Sequence, residues 1–177
     1  LAVGDTVILC LGHLGQPGGT TDSWQVSVDG DPCDLDLTNS FSDYVAEIWS
    51  YRVPFALSGI NIQVDYSTSI NTPYSASVLI AKVTGLNQTF YLDKINSAAG
   101  GPSGTQDSGL TGVTTNGAEF VQGMIVTNGV TADTIGTWQA SLTAGQNGGS
   151  SSALRPLVVK EGFRITTVTG TQRAQVT

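Results

Sequence analysis

Between Tyr44 and Tyr66 the chain reads YVAEIWSYRVPFALSGINIQVDY, and its alternation leaves little choice of backbone. Ile60, Ile62, Val64 and Tyr66 are separated by Asn61, Gln63 and Asp65, with Ser67 following. Successive side chains of a strand point to opposite faces, so this spacing predicts a strand with one buried and one wet face. Upstream, Val45, Trp49, Tyr51 and Val53 share one parity while Ala46 and Ile48 occupy the other. A strand over Tyr44–Val53 is therefore partly covered on both faces, as inside a sandwich. Pro54, Ser58 and Gly59 mark the connection between the two strands.

The rest of the chain repeats the theme. Gly4-Asp5 leads into Thr6–Leu11 (TVILCL), a near-continuous apolar run expected to form a buried first strand, which ends at a loop by composition over Gly12–Gly19. Ser23–Val28 places Trp24, Val26 and Val28 inward, and Asp29-Gly30 then turns the chain. Pro32 cannot donate a ladder bond, so its strand is bent or at an edge. Leu35 and Leu37 alternate with Asp34 and Asp36. Further strands are expected at Ser75–Thr84, Glu119–Thr127, Thr137–Thr143, Pro156–Lys160 and Gly162–Thr169. No stretch carries a convincing helical period. The expected fold class is all-β, a single β-sandwich or jelly roll of about eight antiparallel strands. One domain would cover residues 1–177, with a short arm at 1–4, a long loop at 96–116 and a tail at 170–177. Its expected core is Val7, Leu9, Trp24, Val26, Val45, Trp49, Ile60, Ile62, Val64, Val78, Ile80, Val121, Ile125 and Ile165.

Composition narrows the function. Only 12% of the 177 residues are charged, against about 25% in typical domains, so Ser, Thr, Asn, Gln and Gly must build the polar surface. The net charge is −7, and the seven Lys and Arg residues are scattered. Nucleic acid is an unsuitable partner, because phosphate binding needs clustered cations. No apolar run approaches the roughly 18 residues of a membrane span, and no basic region precedes Leu1 as a signal peptide would require.

The chemistry-bearing residues are few. His13, the one histidine, stands three residues after Cys10. A hydrolase would use Cys10 or a serine as nucleophile and His13 as base. Cys10 instead sits in an apolar run, where a thiol is an inert hydrophobe, and His13 reads as a solvated loop residue. One His and two Cys offer no zinc spacing. Asp29, Asp31, Asp34 and Asp36 are the candidate metal ligands, since Ca²⁺ takes six to eight oxygens, but they lack EF-hand spacing. No cofactor is expected. Cys10 and Cys33 could bridge, although two cysteines make no disulfide framework and free thiols are the simpler reading. Trp24, Trp49, Trp138, Tyr44, Tyr51 and Tyr66 could form a sugar platform or serve as core anchors. Tyr74, Tyr91 and Trp138 sit in contexts that would expose a ring. Asn87-Gln88-Thr89 is the one glycosylation sequon.

The order of features resembles a β-sandwich module of bacteriophage virion proteins and some bacterial surface proteins. The resemblance rests on the Gly-Asp-Thr-Val opening at Gly4–Leu11, the Asp-Gly ending of Val26–Gly30 and the aromatic strand Glu47–Tyr51. Ser58–Val64 and the apolar Val78–Leu86 ending in Gly-Leu complete it. Lys82 and Val83 stand where the bacterial surface versions commonly carry an acidic residue. The resemblance implies a non-enzymatic virion component on the outer capsid surface, most like a capsid decoration (cement) protein. Its partners would be the major capsid protein and its own copies, as a homotrimer. Leu1, Ala2 and Val3, or Gly170, Thr171, Gln172 and Arg173, would contact the lattice by adding a strand to an exposed edge. The alternative is a phage tail or fibre module, or a bacterial surface module, binding glycans.

Overall fold

Strand β1 (Thr6–Leu14) is the centre of the molecule: every residue from Asp5 to His13 is buried. A strand in such a position needs partners on both edges and cover on both faces, and the chain supplies all four. The computed structural model describes residues 1–14, 23–41, 44–67, 75–87, 89, 92–98, 106–108, 110–115, 119–127, 140–142, 157–171 and 175–176. Among them β1 pairs antiparallel with β5 (Tyr44–Arg52) on one side and β7 (Ser75–Val83) on the other. With β4 (Asp34–Phe41) outside β5, the central sheet has the order β4-β5-β1-β7. The protein is all-β and its sheets are antiparallel, as the alternation predicts.

Each face of this sheet has its own core. Val7, Leu9 and Leu11 of β1, with Trp49 and Tyr51 of β5, pack on Trp24, Val26 and Val28 of β2 (Ser23–Val28). That second layer has the order β3-β2-β6, where β3 is Asp31–Pro32 and β6 is Ile62–Ser67. On the other face Cys10, Leu79 and the partly buried Ile48 and Tyr44 meet Leu157, Val159, Met124 and Val126. These come from a third layer of order β10-β11-β9, and β9 is Glu119–Thr127, β10 Ala140–Leu142 and β11 Val158–Thr166. A two-residue pair, β8 (Gln106–Asp107) with β12 (Gln175–Val176), closes the described strands.

Several expectations need correction. The strands expected at Tyr44–Val53 and Ile60–Tyr66 form as Tyr44–Arg52 and Ile62–Ser67, but they lie in different layers, and the connection between them crosses from the central sheet to the β2 sheet. The two strands expected at Pro156–Lys160 and Gly162–Thr169 merge into one, Val158–Thr166, because Gly162 keeps its place in the ladder opposite Gly123. The count reaches twelve strands among the described residues, three of them only two residues long. Gly12 does not start a loop: a Cβ there would lie inside contact distance of Val159 Cγ2 and 2.9 Å from Val126 Cγ2. The glycine marks close approach of the third layer, so β1 runs on through His13. Of the expected core, Ile60, Val78, Ile80 and Ile165 are exposed. Val78 and Ile80 share the face of Leu11 and Leu9, yet their strand is the sheet's last and extends past the cover. The Asp29-Gly30 turn is as predicted, with both residues at positive φ (51° and 90°), and Pro32 sits on the edge strand β3.

Two outcomes follow for stability. Trp49 is buried and its Nε1–H donates to Glu47 Oε2 at 3.0 Å, so Trp49→Ala should lower the unfolding free energy by about 3–5 kcal/mol in denaturant titration. Gly12→Ala should cost about 1–3 kcal/mol by forcing the third layer outward.

Candidate functional site

The residues singled out for chemistry are separated by the fold. Cys10 and His13 are an odd number of strand residues apart, so they point to opposite faces of the central sheet. His13 is buried against Trp24, with ring centroids 4.8 Å apart, and is not the solvated loop residue expected. Cys10 lies in the third-layer core and Cys33 in the second-layer core, and both are free thiols. The aspartates disperse as well. Asp29 Oδ1 accepts from Asn61 N at 2.7 Å, and Asp31 Oδ2 accepts from the Tyr51 hydroxyl at 3.0 Å. A β-bulge between Leu35 and Leu37 ends the strict alternation, so Asp34 and Asp36 do not stay on one regular face. Among the described residues, no three His, Cys, Asp or Glu side chains gather as a metal site would need. Trp24, Trp49 and Tyr51 are core residues and Tyr44 is partly buried, whereas Tyr74, Tyr91 and Trp138 lie outside the described residues. At the sequon, Thr89 N donates to Asn87 Oδ1 at 2.8 Å.

Both expected contact segments are hydrogen-bonded within the chain. The Leu1 nitrogen donates to Leu57 O at 2.8 Å, and Leu57 N returns a bond to Leu1 O at 3.0 Å. Ala2 N is taken by Asp5 Oδ2 at 2.8 Å, while the Val3 side chain is exposed. Thr114 N donates to Gly170 O and Gly170 N to Thr114 Oγ1, each at 3.1 Å. Thr171 is exposed. Gln172 and Arg173 lie outside the described residues, and beyond them Gln175 and Val176 pair with β8. Strand addition by Leu1 or Gly170 would first have to break these bonds.

Two other features stand out, and the sequence signalled neither. The first is the contrast between the edges of the central sheet. The β4 edge carries Asp34 and Asp36 and is kinked by the bulge, the usual guards against pairing with another chain. The β7 edge, SASVLIAKV, keeps a regular register with β1, holds no proline and carries one charge, Lys82. Lys82 Nζ lies 3.6 Å from Asp5 Oδ2. Val78 and Ile80 are 37% and 47% exposed on this strand, and among the described residues nothing pairs with its outer side.

The second is a cleft of about 250 Å³ between the central sheet and β9. Ile8 and Ile48 of the sheet and Phe120 and Val121 of β9 form its apolar walls. Asp36, Asn87 and Glu119 add polar groups. The chain from Leu92 to Ile95 closes one side, held by Asp93: Thr115 N donates to Asp93 Oδ2 at 2.6 Å and Lys94 Nζ to Asp93 Oδ1 at 3.0 Å. Bonds from the Thr115 hydroxyl and amide hold the Asp93 carboxyl well below the usual range. Deeper between the same two layers, the Gln122 amide donates to Cys10 Sγ at 3.6 Å and to Glu161 Oε2 at 3.4 Å. Burial pushes the Cys10 thiol well up, with the Glu161 charge adding to it, and burial raises the Glu161 carboxyl too. A buried thiol of that kind is a poor nucleophile at neutral pH.

No family model matches the chain, and no curated protein and no solved structure matches it either.

The carboxyls set a pH profile. Burial raises both Glu47 and Glu161 above their ordinary 4.5, so their ionised forms oppose folding, and stability is gained as pH falls from neutral through their folded values towards 4.5. Asp93 works in the opposite sense, its contribution being lost below the ordinary aspartate value of 3.8. The melting temperature should therefore peak in mild acid. Glu161→Gln should flatten the rise between neutral pH and the peak, and an unchanged profile in that variant would assign the rise elsewhere.

Proposed function

We propose that the chain is a non-enzymatic structural protein of a virion, a capsid decoration protein that binds and stabilises the major capsid lattice from its outer surface. The observation that carries this reading is the regular, lightly guarded β7 edge opposite the bulged, acidic β4 edge. Proteins blunt their sheet edges with charge, proline or bulges, and of the two edges of the central sheet β4 carries the bulge and two carboxylates while β7 carries Lys82 alone. Such an edge suits permanent strand addition, in which backbone bonds supply affinity and Val78 and Ile80 supply apolar contact. The surface chemistry agrees with it, since Ser, Thr and Asn lose less side-chain entropy at an interface than Lys or Glu. The resemblance to virion modules points the same way, and a homotrimer would let three lattice contacts reinforce one another through effective concentration. We propose the contact at β7 and not at the terminal segments, since Leu1 and Gly170 make backbone hydrogen bonds within the chain.

The test is association. The protein should be oligomeric by mass measurement in solution and should bind capsids assembled without it, saturably and at fixed stoichiometry. Ile80→Lys places a charge on an exposed site, so the fold should survive while capsid binding falls at least about tenfold. Full binding by that variant, or no binding by the unmodified protein, would refute the reading.

A further inference from the structure

The cleft between the central sheet and β9 has the chemistry of a site for a small ligand, which strand addition at β7 does not use. We propose that it binds a neutral, hydroxyl-rich ring, a single hexose or N-acetylhexosamine. Three observations carry this. The first is shape: about 250 Å³, partly open and walled by two layers, lies just under the roughly 300–1,000 Å³ of small-molecule sites and fits one ring.

The second is the placement of polar groups. Thr6 lines the cleft from the first position of β1 and is fully buried, yet its Oγ1 has no hydrogen-bond partner among the described residues. That hydroxyl is sealed beneath the cleft wall, so the polar side chains within a ligand's reach are those of Asp36, Asn87 and Glu119. Asp36 belongs to the bulge that breaks the β4 register, and it lines the cleft together with its neighbour Leu37. Bulges recur where a side chain is re-aimed beside a functional site.

The third is charge. The lining holds three carboxylates, Asp36, Asp93 and Glu119, and one ammonium, Lys94, which is bound to Asp93. An anion is repelled by that balance. Ionised carboxylates only accept hydrogen bonds, so the ligand must be rich in donors. A sugar ring satisfies both requirements: its hydroxyls donate to Asp36 and Glu119, its oxygens can accept from the Asn87 amide, and its C–H face lies on Phe120 and Ile48. An organic amine also carries donors, but it would leave the amide and hydroxyl lining without matching groups.

The experiment is a titration of the full chain, at physiological salt, with free hexoses and N-acetylhexosamines and with butylamine as the cationic comparator. It is read by methyl chemical shifts of Ile8, Ile48 and Val121. At least one sugar should saturate these shifts in the millimolar range. Asp36→Asn and Glu119→Gln should each weaken it by about tenfold, whereas Asp65→Asn, on the exposed side of β6, should leave it unchanged. Both cleft variants are near-isosteric, and an unaltered spectrum away from the cleft certifies their fold. Saturation by butylamine alone, no saturation by any sugar, or sugar binding indifferent to both variants would each overturn the proposal.

Discussion

Everything in this molecule depends on one strand being dry on both faces. β1 carries alternating positions that serve two separate faces: Val7, Leu9 and Leu11 feed one core, while on the other side Cys10 feeds the second core and Ile8 lines the cleft. Because the strand period is two, neither set can be changed without shifting which core is served. The same constraint explains the polar residues nearby. Glu47 and Glu161 are buried on opposite faces of the central sheet, each met by a donor, the Trp49 indole N–H and the Gln122 amide. Buried groups of this kind fix pairing more than they add stability, because a slipped register would strand them.

The layering also decides where the molecule can meet others. Two faces of the central sheet are consumed by the second and third layers, and the bulge at Asp36 closes one edge. Of the central sheet, what remains unpaired among the described residues is the outer side of β7. The cleft is a by-product of the same geometry. Gly12 lets β9 and β11 press close at one end of β1, while at the other end the layers part around Thr6, Ile8 and Phe120.

Much of this was legible in the chain itself. The alternation of Trp24, Val26 and Val28 located a strand to the residue, the Asp29-Gly30 turn was correctly read, and Val7 and Leu9 were correctly placed inside. What failed was anything set by neighbours in space. Ile80 has the same local pattern as Leu9, and only the sheet order, with β7 outermost, exposes it. His13 looked wet because Gly12 precedes it and further glycines follow, and a glycine chosen for close packing has the same letter as one chosen for a turn. The cleft draws on β1, β4, β5, β9 and the chain after β7, stretches far apart in sequence, and no periodicity reports such a convergence.

The position of β1 has a consequence in time. The strand precedes all its partners: its edges need residues 44–52 and 75–83, and the third layer that covers it needs 119–127 and 158–166. At a synthesis rate of about 5–20 residues per second, TVILCL waits several seconds for its second partner and longer for its cover. For that interval it is an apolar, uncharged ribbon on the ribosome's surface, exposed to the neighbouring nascent chains of a polysome. Transiently exposed apolar strands of this kind are prone to aggregate, so the order of synthesis makes β1 the segment most at risk before the sheet closes.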